Sequence, residues 1–214
     1  MAEYQNLSKA FLPTVKPYDI PVILPEYEMP KYKRVIEFDY CRRFMGNRKQ
    51  NNKDVSDIGV HFFEDDYKFE RAWSDPDTYG RMLSNFGFVI GPDFSVYDDF
   101  PDAIRIYNTY RNAWLCRYWQ EHFAVCVIPT VMWGYEDTWD WCFNHYPKNS
   151  IVAVSNIGMA KTKEDKDYFM NGYEEMLKRL NPTKVLCYTR NFVTLPGNVE
   201  YVSWELYKGV QEYG

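Results

Sequence analysis

From residue 58 onward, short apolar runs alternate with stretches of helical periodicity. IGVHFF (58–63), FVI (88–90), AVCVIP (124–129), SIVAVS (150–155), KVLCY (184–188) and VEYVSW (199–204) read as strands, and VIEFDY (35–40) as one ahead of them. Between them the spacing predicts helices with their own punctuation. Asp75 is an N-cap with Pro76 at the first helical position, followed by Tyr79, Met82, Leu83 and Phe86 on one face and by Gly87 as terminator. A longer helix begins near Pro101, its N-terminal dipole complemented by Asp98, Asp99 and Asp102, and runs to about His122. Trp139, Cys142, Phe143 and Tyr146 share a face of a third helix, stopped by Pro147. Thr162 and Asp165 approximate a capping box ahead of Phe169, Tyr173, Met176, Leu177 and Leu180, and Asn181-Pro182 closes that helix.

Alternating strands and helices with near-continuous apolar strands predict an α/β fold: a single domain with a mainly parallel sheet covered by helices. With about seven strands, the sheet is expected to be either a reduced TIM-barrel-like one or an open doubly wound one. Ahead of it, Pro13, Pro17, Pro21, Pro25 and Pro30 forbid a regular helix, so residues 1–34 read as an extended arm and 35–214 as the domain.

Composition narrows the class without deciding function. Among 214 residues, 46% are hydrophobic and 26% charged, which is globular. No stretch approaches the ~18 uncharged apolar residues of a membrane span, and MAEYQNLSKA lacks the apolar core of a signal peptide. A cytoplasmic protein without a membrane partner is the expectation. Five cysteines without a C-x-x-C pair predict free thiols and no metal site. Aromatic residues reach 19%, which suggests that some form stacking surfaces outside the core. Net charge is −5, yet residues 31–53 hold eight basic and two acidic side chains, so +6 there stands against −11 elsewhere. Arg42, Arg43, Arg48 and Lys49 in that segment are candidate phosphate or nucleic-acid contacts; the other reading is a solvated face.

In either topology the loops after the strands converge on one face. Asp93, just past a buried strand and Gly91-Pro92, is the sharpest catalytic candidate, because burial and neighbouring carboxylates raise a carboxyl's pKa for acid/base work. Its alternative is a turn cap formed by Asp93 or Ser95. Glu64 and Asp65 are its partners, and their triplet with Asp66 offers oxygen ligands for a hard divalent cation; a solvated loop or a cap for the segment DYKFERAW is the favoured alternative to the cation. Glu64, Asp65, Asp93, Trp133, Asn156 and Arg190 are expected to line one cleft. Further ligand-binding candidates are Ser95, Tyr97, Thr130 and Ser155 at strand ends and His61 inside a strand, which as a lone histidine also suits a core wall. Asn108 and Arg111, three apart on the long helix, can together grip a carboxylate or phosphate; equally, Arg111 can simply pair with Asp98 or Asp102 on the surface. No glycine-rich phosphate fingerprint is present, and no cofactor is implied.

The segments GVHFFEDDYKFERAW (59–73), PDFSVYDDFP (92–101), NTYRNAW (108–114), VIPTVMW (127–133), VAVSNIG (152–158) and GYEEMLKRLNPTKVLCY (172–188) together resemble domain of unknown function 4417, found in phages and in bacterial genomes with mobile elements. The resemblance spans roughly residues 35–190, and Thr189 stands where the pattern leads one to expect glycine. It implies a phage setting, hence the host cytoplasm, and no established chemistry. Two functions remain. One is an enzyme acting on a nucleotide, base or sugar through carboxylates, with Asp93 and Glu64 or Asp65 as the pair for glycosidic-bond chemistry. The other is a non-catalytic phage factor that sequesters a nucleotide ligand or binds a host or defence protein.

Overall fold

The computed structural model describes residues 12–41, 54–156, 162–189 and 194–203. Among the described residues, seven parallel strands form the frame. β3 (Arg34–Glu37), β4 (Ile58–His61), β5 (Phe88–Ile90) and β6 (Val127–Ile128) pair in chain order, as do β7 (Ile151–Ser155), β8 (Lys184–Thr189) and β9 (Val199–Ser203). A parallel bridge between Thr130 and Ala153 joins the two groups, with Val131 N donating to Ala153 O and Ala153 N to Pro129 O, both at 2.8 Å.

The strand order never reverses, whereas a doubly wound sheet requires a reversal. Right-handed crossovers that always step the same way keep the helices on one face and curl the sheet, which is the barrel-like alternative of the expected α/β fold. Side chains of the concave face, including Phe88, Ile90, Ile128, Ile151, Ala153, Leu186 and Val202, pack into one inner cluster. The convex face, with Val60, Val89, Val127, Val152, Val154, Val185 and Cys187, packs in the larger cluster shared with the helices. No strand ladder joins β3 to β9 among the described residues, but Tyr32 Oη, just before β3, donates to Glu200 on β9, whose other carboxylate oxygen takes Lys184 Nζ at 3.0 Å.

Among the described residues, five fully described helices cover the outside: α1 (Asp66–Ser74), α2 (Pro76–Leu83), α3 (Asp102–Phe123), α4 (Trp139–Cys142) and α5 (Lys163–Leu180). Two caps read from sequence form as such: Asp75 accepts from Thr78 N, and Thr162 and Asp165 exchange the reciprocal bonds of a capping box. α5 ends at Asn181 in the left-handed conformation.

Several boundaries differ from expectation. α2 stops at Leu83 rather than at Gly87, whose N–H instead joins Ile58 O at 3.0 Å. VIEFDY is a strand only through Glu37; residues 38–41 turn helically, burying Phe38 and Cys41 against the helices. The helix expected to run to Tyr146 is four residues long, because Tyr146 Oη is drawn to Thr130 O at 2.8 Å and Met132 N at 3.2 Å. α1 was not foreseen as a helix in its own right.

Residues ahead of β3 form a small antiparallel pair, β1 (Thr14–Val15) with β2 (Ile20–Pro21), then run beneath the body. Leu24 N and O both bond the Gln120 side chain, Ile23 N bonds His145 O, and Glu26 O receives Ile151 N at the foot of β7. Met29 and Tyr32 then pack against the inner cluster, closing the N-terminal end of the curl. Among the described residues no helix is long and apolar enough to cross a membrane.

Candidate functional site

With one end closed by the arm, the opposite end, at the strand C-termini, holds a cleft of about 830 Å³. Glu64, Asp65, Asp93, Ser95, Tyr97, Thr130, Trp133 and Ser155, all named from sequence, line it. The regular alternation of a strand aims Ser155 and Thr130 inward, and Glu37, the register partner of His61, adds a carboxylate from β3.

Asp93 sits just past β5 on a loop clamped from two sides. On the α3 side, Asn112 brackets Phe94, accepting from its N–H at 2.8 Å and donating to its carbonyl at 3.2 Å, and Asn108 Nδ2 donates to Ser95 O at 2.6 Å. On the α1 side, Asp66 accepts from Ser95 N at 3.1 Å and from Ser95 Oγ at 3.0 Å. Residue Asp93 itself is half-buried, while its Oδ1 is sequestered and has no hydrogen-bond partner. Burial first, then the neighbouring Asp66 and Glu64 carboxylates, push its pKa well above the usual carboxylate range.

Glu64 is the second perturbed carboxyl. Its side chain is 1% exposed; Oε1 accepts from Asp39 N at 3.0 Å, and Oε2 has no hydrogen bond, with Lys68 Nζ 3.9 Å away. Burial first, with the Glu37 and Asp39 carboxylates, raises its pKa, while the Asp39 N–H and Lys68 oppose the rise. Adjacent Asp65 is instead 68% exposed.

One wall is aromatic. Trp133 packs on Phe169 with ring centroids 5.3 Å apart, and Tyr168 Oη ties it down through Trp133 O at 3.0 Å. Tyr67 and Tyr97 stand on the rim, 75% and 60% exposed.

Other candidates lie elsewhere. His61 is buried in the inner wall, its Nδ1 accepting from Phe63 N at 3.2 Å and its ring 4.5 Å from that of Tyr188; burial lowers its pKa to about 3. Asn108 and Arg111 do share a face, but they grip the protein. Arg111 bonds both Glu70 oxygens at 2.9 Å and Asn108 Oδ1 at 2.7 Å, with its guanidinium 3.6 Å above the Phe94 ring. The surface acids expected for it, Asp98 and Asp102, pair with Arg105 instead. Asn156 is buried at the end of β7, on the same sheet edge as Asp93 but outside the cleft lining. Arg42, Arg43, Arg48, Lys49 and Arg190 lie outside the described residues.

Sequence reasoning missed Glu37, Asp66 as the anchor of Ser95, and the α5 pair Tyr168 and Phe169 as cleft wall. Asp66 was within reach as part of the acidic triplet; Tyr168 and Phe169 carried only a core-like signal. Among the described residues no three His, Cys, Asp or Glu side chains are placed to hold one metal ion.

Comparison with known proteins bears on the family. A family model described as a domain of unknown function, DUF4417, matches residues 12–203. The chain is similar to the Gene 1 protein of Mycobacterium phage L5, 33% identical over 186 residues, which cover 86% of this chain and 73% of that protein. It is likewise similar to the Gene 1 protein of Mycobacterium phage D29, 33% identical over 203 residues, or 93% of this chain and 72% of that one. No solved structure matches. A family match that takes in the arm, the curled sheet and the acidic cleft together, with phage relatives along most of its length, makes this chain a member of the phage-associated DUF4417 family.

Proposed function

We propose that the cleft is an active site that hydrolyses a glycosidic bond in a nucleoside or sugar, with Asp93 as proton donor and Glu64 as base. The observation that carries this reading is the sequestered, unpartnered Oδ1 of Asp93 beside two other carboxylates. An ionised group there loses water and meets like charge, so the carboxyl retains a proton to give to a leaving group. Glu64 is also raised, but the Asp39 N–H and Lys68 favour its charged form, so of the two it ionises first. In the step, water oxygen bonds to the anomeric carbon, Glu64 takes the water proton, the bond to the leaving group breaks, and the leaving atom takes the proton of Asp93. Exposure of Asp65 favours Glu64 over it for this role. Trp133 and Phe169 form a buried apolar wall, and the exposed Tyr67 and Tyr97 on the rim offer rings on which a sugar or base stacks.

A second reading, a non-catalytic phage factor that sequesters a nucleotide or docks on a host or defence protein, is favoured by the exposed Tyr67 and Tyr97 on the rim, since tyrosines are common anchors of recognition surfaces. Arg42, Arg43, Arg48 and Lys49 belong with that reading as phosphate or nucleic-acid contacts.

Chromatography of the protein incubated with the common ribonucleosides and deoxyribonucleosides, and absorbance with a panel of nitrophenyl glycosides, tests the choice. Release of a base or nitrophenol that falls about a hundredfold or more in Asp93→Asn supports the enzyme. Absence of release from every compound, or release indifferent to the substitution, overturns it.

A further inference from the structure

We infer that the cleft selects a ring-bearing ligand that carries a positively charged amine and no phosphate. The inference rests on the proposed reading of the cleft as a ligand site and adds to it the charge class of what enters.

The lining holds Glu37, Glu64, Asp65, Asp66, Asp93 and Asp98, and a single cation among the described residues, Lys68. That ammonium already lies in the field of two of the acids, 3.9 Å from Glu64 Oε2 and 3.7 Å from Asp65 Oδ2. Acidic side chains alone do not make a site, and the second observation is their missing donors. Oε2 of Glu64, on a side chain 1% exposed, and Oδ1 of Asp93 are both sequestered without a hydrogen bond. Buried acceptors left in this way call for a donor.

The chemistry of the visitor follows. A protonated amine brings three N–H donors and no acceptor, matching the ionised Glu64, whose Oε2 can only accept, and the carbonyl oxygen that Asp93 keeps while it holds its proton. A phosphate brings charge of the same sign as the wall and oxygens that accept, so it leaves Glu64 Oε2 without a donor and is repelled by the other carboxylates. A divalent cation is the other candidate guest, but among the described residues no three ligating side chains are close enough to share one. The rim rings of Tyr67 and Tyr97, 75% and 60% exposed, supply the ring's partner and, to a cation, an attractive π face.

Calorimetric titration of the full chain at pH 7 with three compounds of one ring tests this: adenosine, 5′-amino-5′-deoxyadenosine and adenosine 5′-monophosphate. The amine should bind about tenfold tighter than adenosine and the monophosphate about tenfold weaker, as charges a few ångströms from carboxylates require. Glu37→Gln, which removes one lining charge, should narrow the ratio of amine to adenosine affinity several-fold. Equal affinities, a monophosphate that matches or exceeds adenosine, or no binding by any of the three at millimolar concentration overturns the inference. An amine advantage untouched by Glu37→Gln overturns it too. Heat of binding reads the inference apart from catalysis: the expected order without base release keeps charge selection and rejects hydrolysis, whereas base release with the monophosphate preferred does the reverse.

Discussion

Gly172 of α5 lies against the indole of Trp133 so closely that a Cβ on the glycine would overlap ring atoms Cδ1 and Nε1. The aromatic wall of the cleft therefore depends on the absence of a side chain 39 positions away along the chain.

Gly172→Ala should consequently displace Trp133 from its place on Phe169, at a cost of about 1–3 kcal/mol from overpacking. Urea denaturation gives the stability and near-ultraviolet circular dichroism the tryptophan environment. An unchanged spectrum at unchanged stability would mean that the wall gives way freely and does not shape the cleft.

Asp93→Asn should abolish turnover yet raise stability at neutral pH. A carboxyl whose pKa is raised on folding contributes stability that is present below its unfolded value of 3.8 and is lost as pH rises through the folded value. The asparagine has no such loss, so its melting temperature should exceed that of the parent at pH 7, and the gap should close as pH falls towards 4. A variant less stable than the parent at pH 7 would show that the carboxylate is paired rather than stranded.

His145 is fully buried between the arm and the body, with neither ring nitrogen hydrogen-bonded and its backbone oxygen accepting from Ile23 N. Burial lowers its pKa from 6.5 to about 3, as it does for His61. A depressed base contributes stability that is complete above 6.5 and is lost as pH falls towards the folded value. The expected loss at pH 4.5 is of the order of 2–3 kcal/mol per imidazole. His145→Phe, which keeps a ring without the nitrogens, should flatten melting temperature against pH between 6.5 and 4.5. A profile identical to that of the parent would place acid sensitivity elsewhere.

All five cysteines are free; four are buried and Cys126 is partly exposed. Burial pushes the thiols of Cys126, Cys142 and Cys187 up to about 12 and those of Cys41 and Cys116 also upward. A thiol reagent at pH 8 should therefore react slowly with the folded chain, Cys126 first, and should count close to five after denaturation without reductant. Rapid reaction of more than one thiol in the folded state would show a looser structure than the packing indicates.

Local signals were legible in the sequence because their physics spans a few residues. Asp75 with Pro76, Thr162 with Asp165 and the left-handed Asn181 are bonds between near neighbours, and the apolar runs marked seven strands that the structure retains, some of them shortened. Parallel strands with crossovers must send their C-terminal loops to one edge, so Asp93 and Thr130 were placed at one mouth by topology alone. Tertiary structure decided what distance along the chain conceals. Uninterrupted strand order selected the curled sheet over the doubly wound one. Asn108 and Arg111 look like a ligand grip on a helix face until Phe94, Ser95 and Glu70, brought in by other elements, engage them first. Glu64 and Asp65 are equivalent as letters, yet successive residues point to different surroundings, leaving one side chain 1% and the other 68% exposed. Burial, the quantity that perturbs a carboxyl, is set by neighbours from across the fold, and no local pattern contains it.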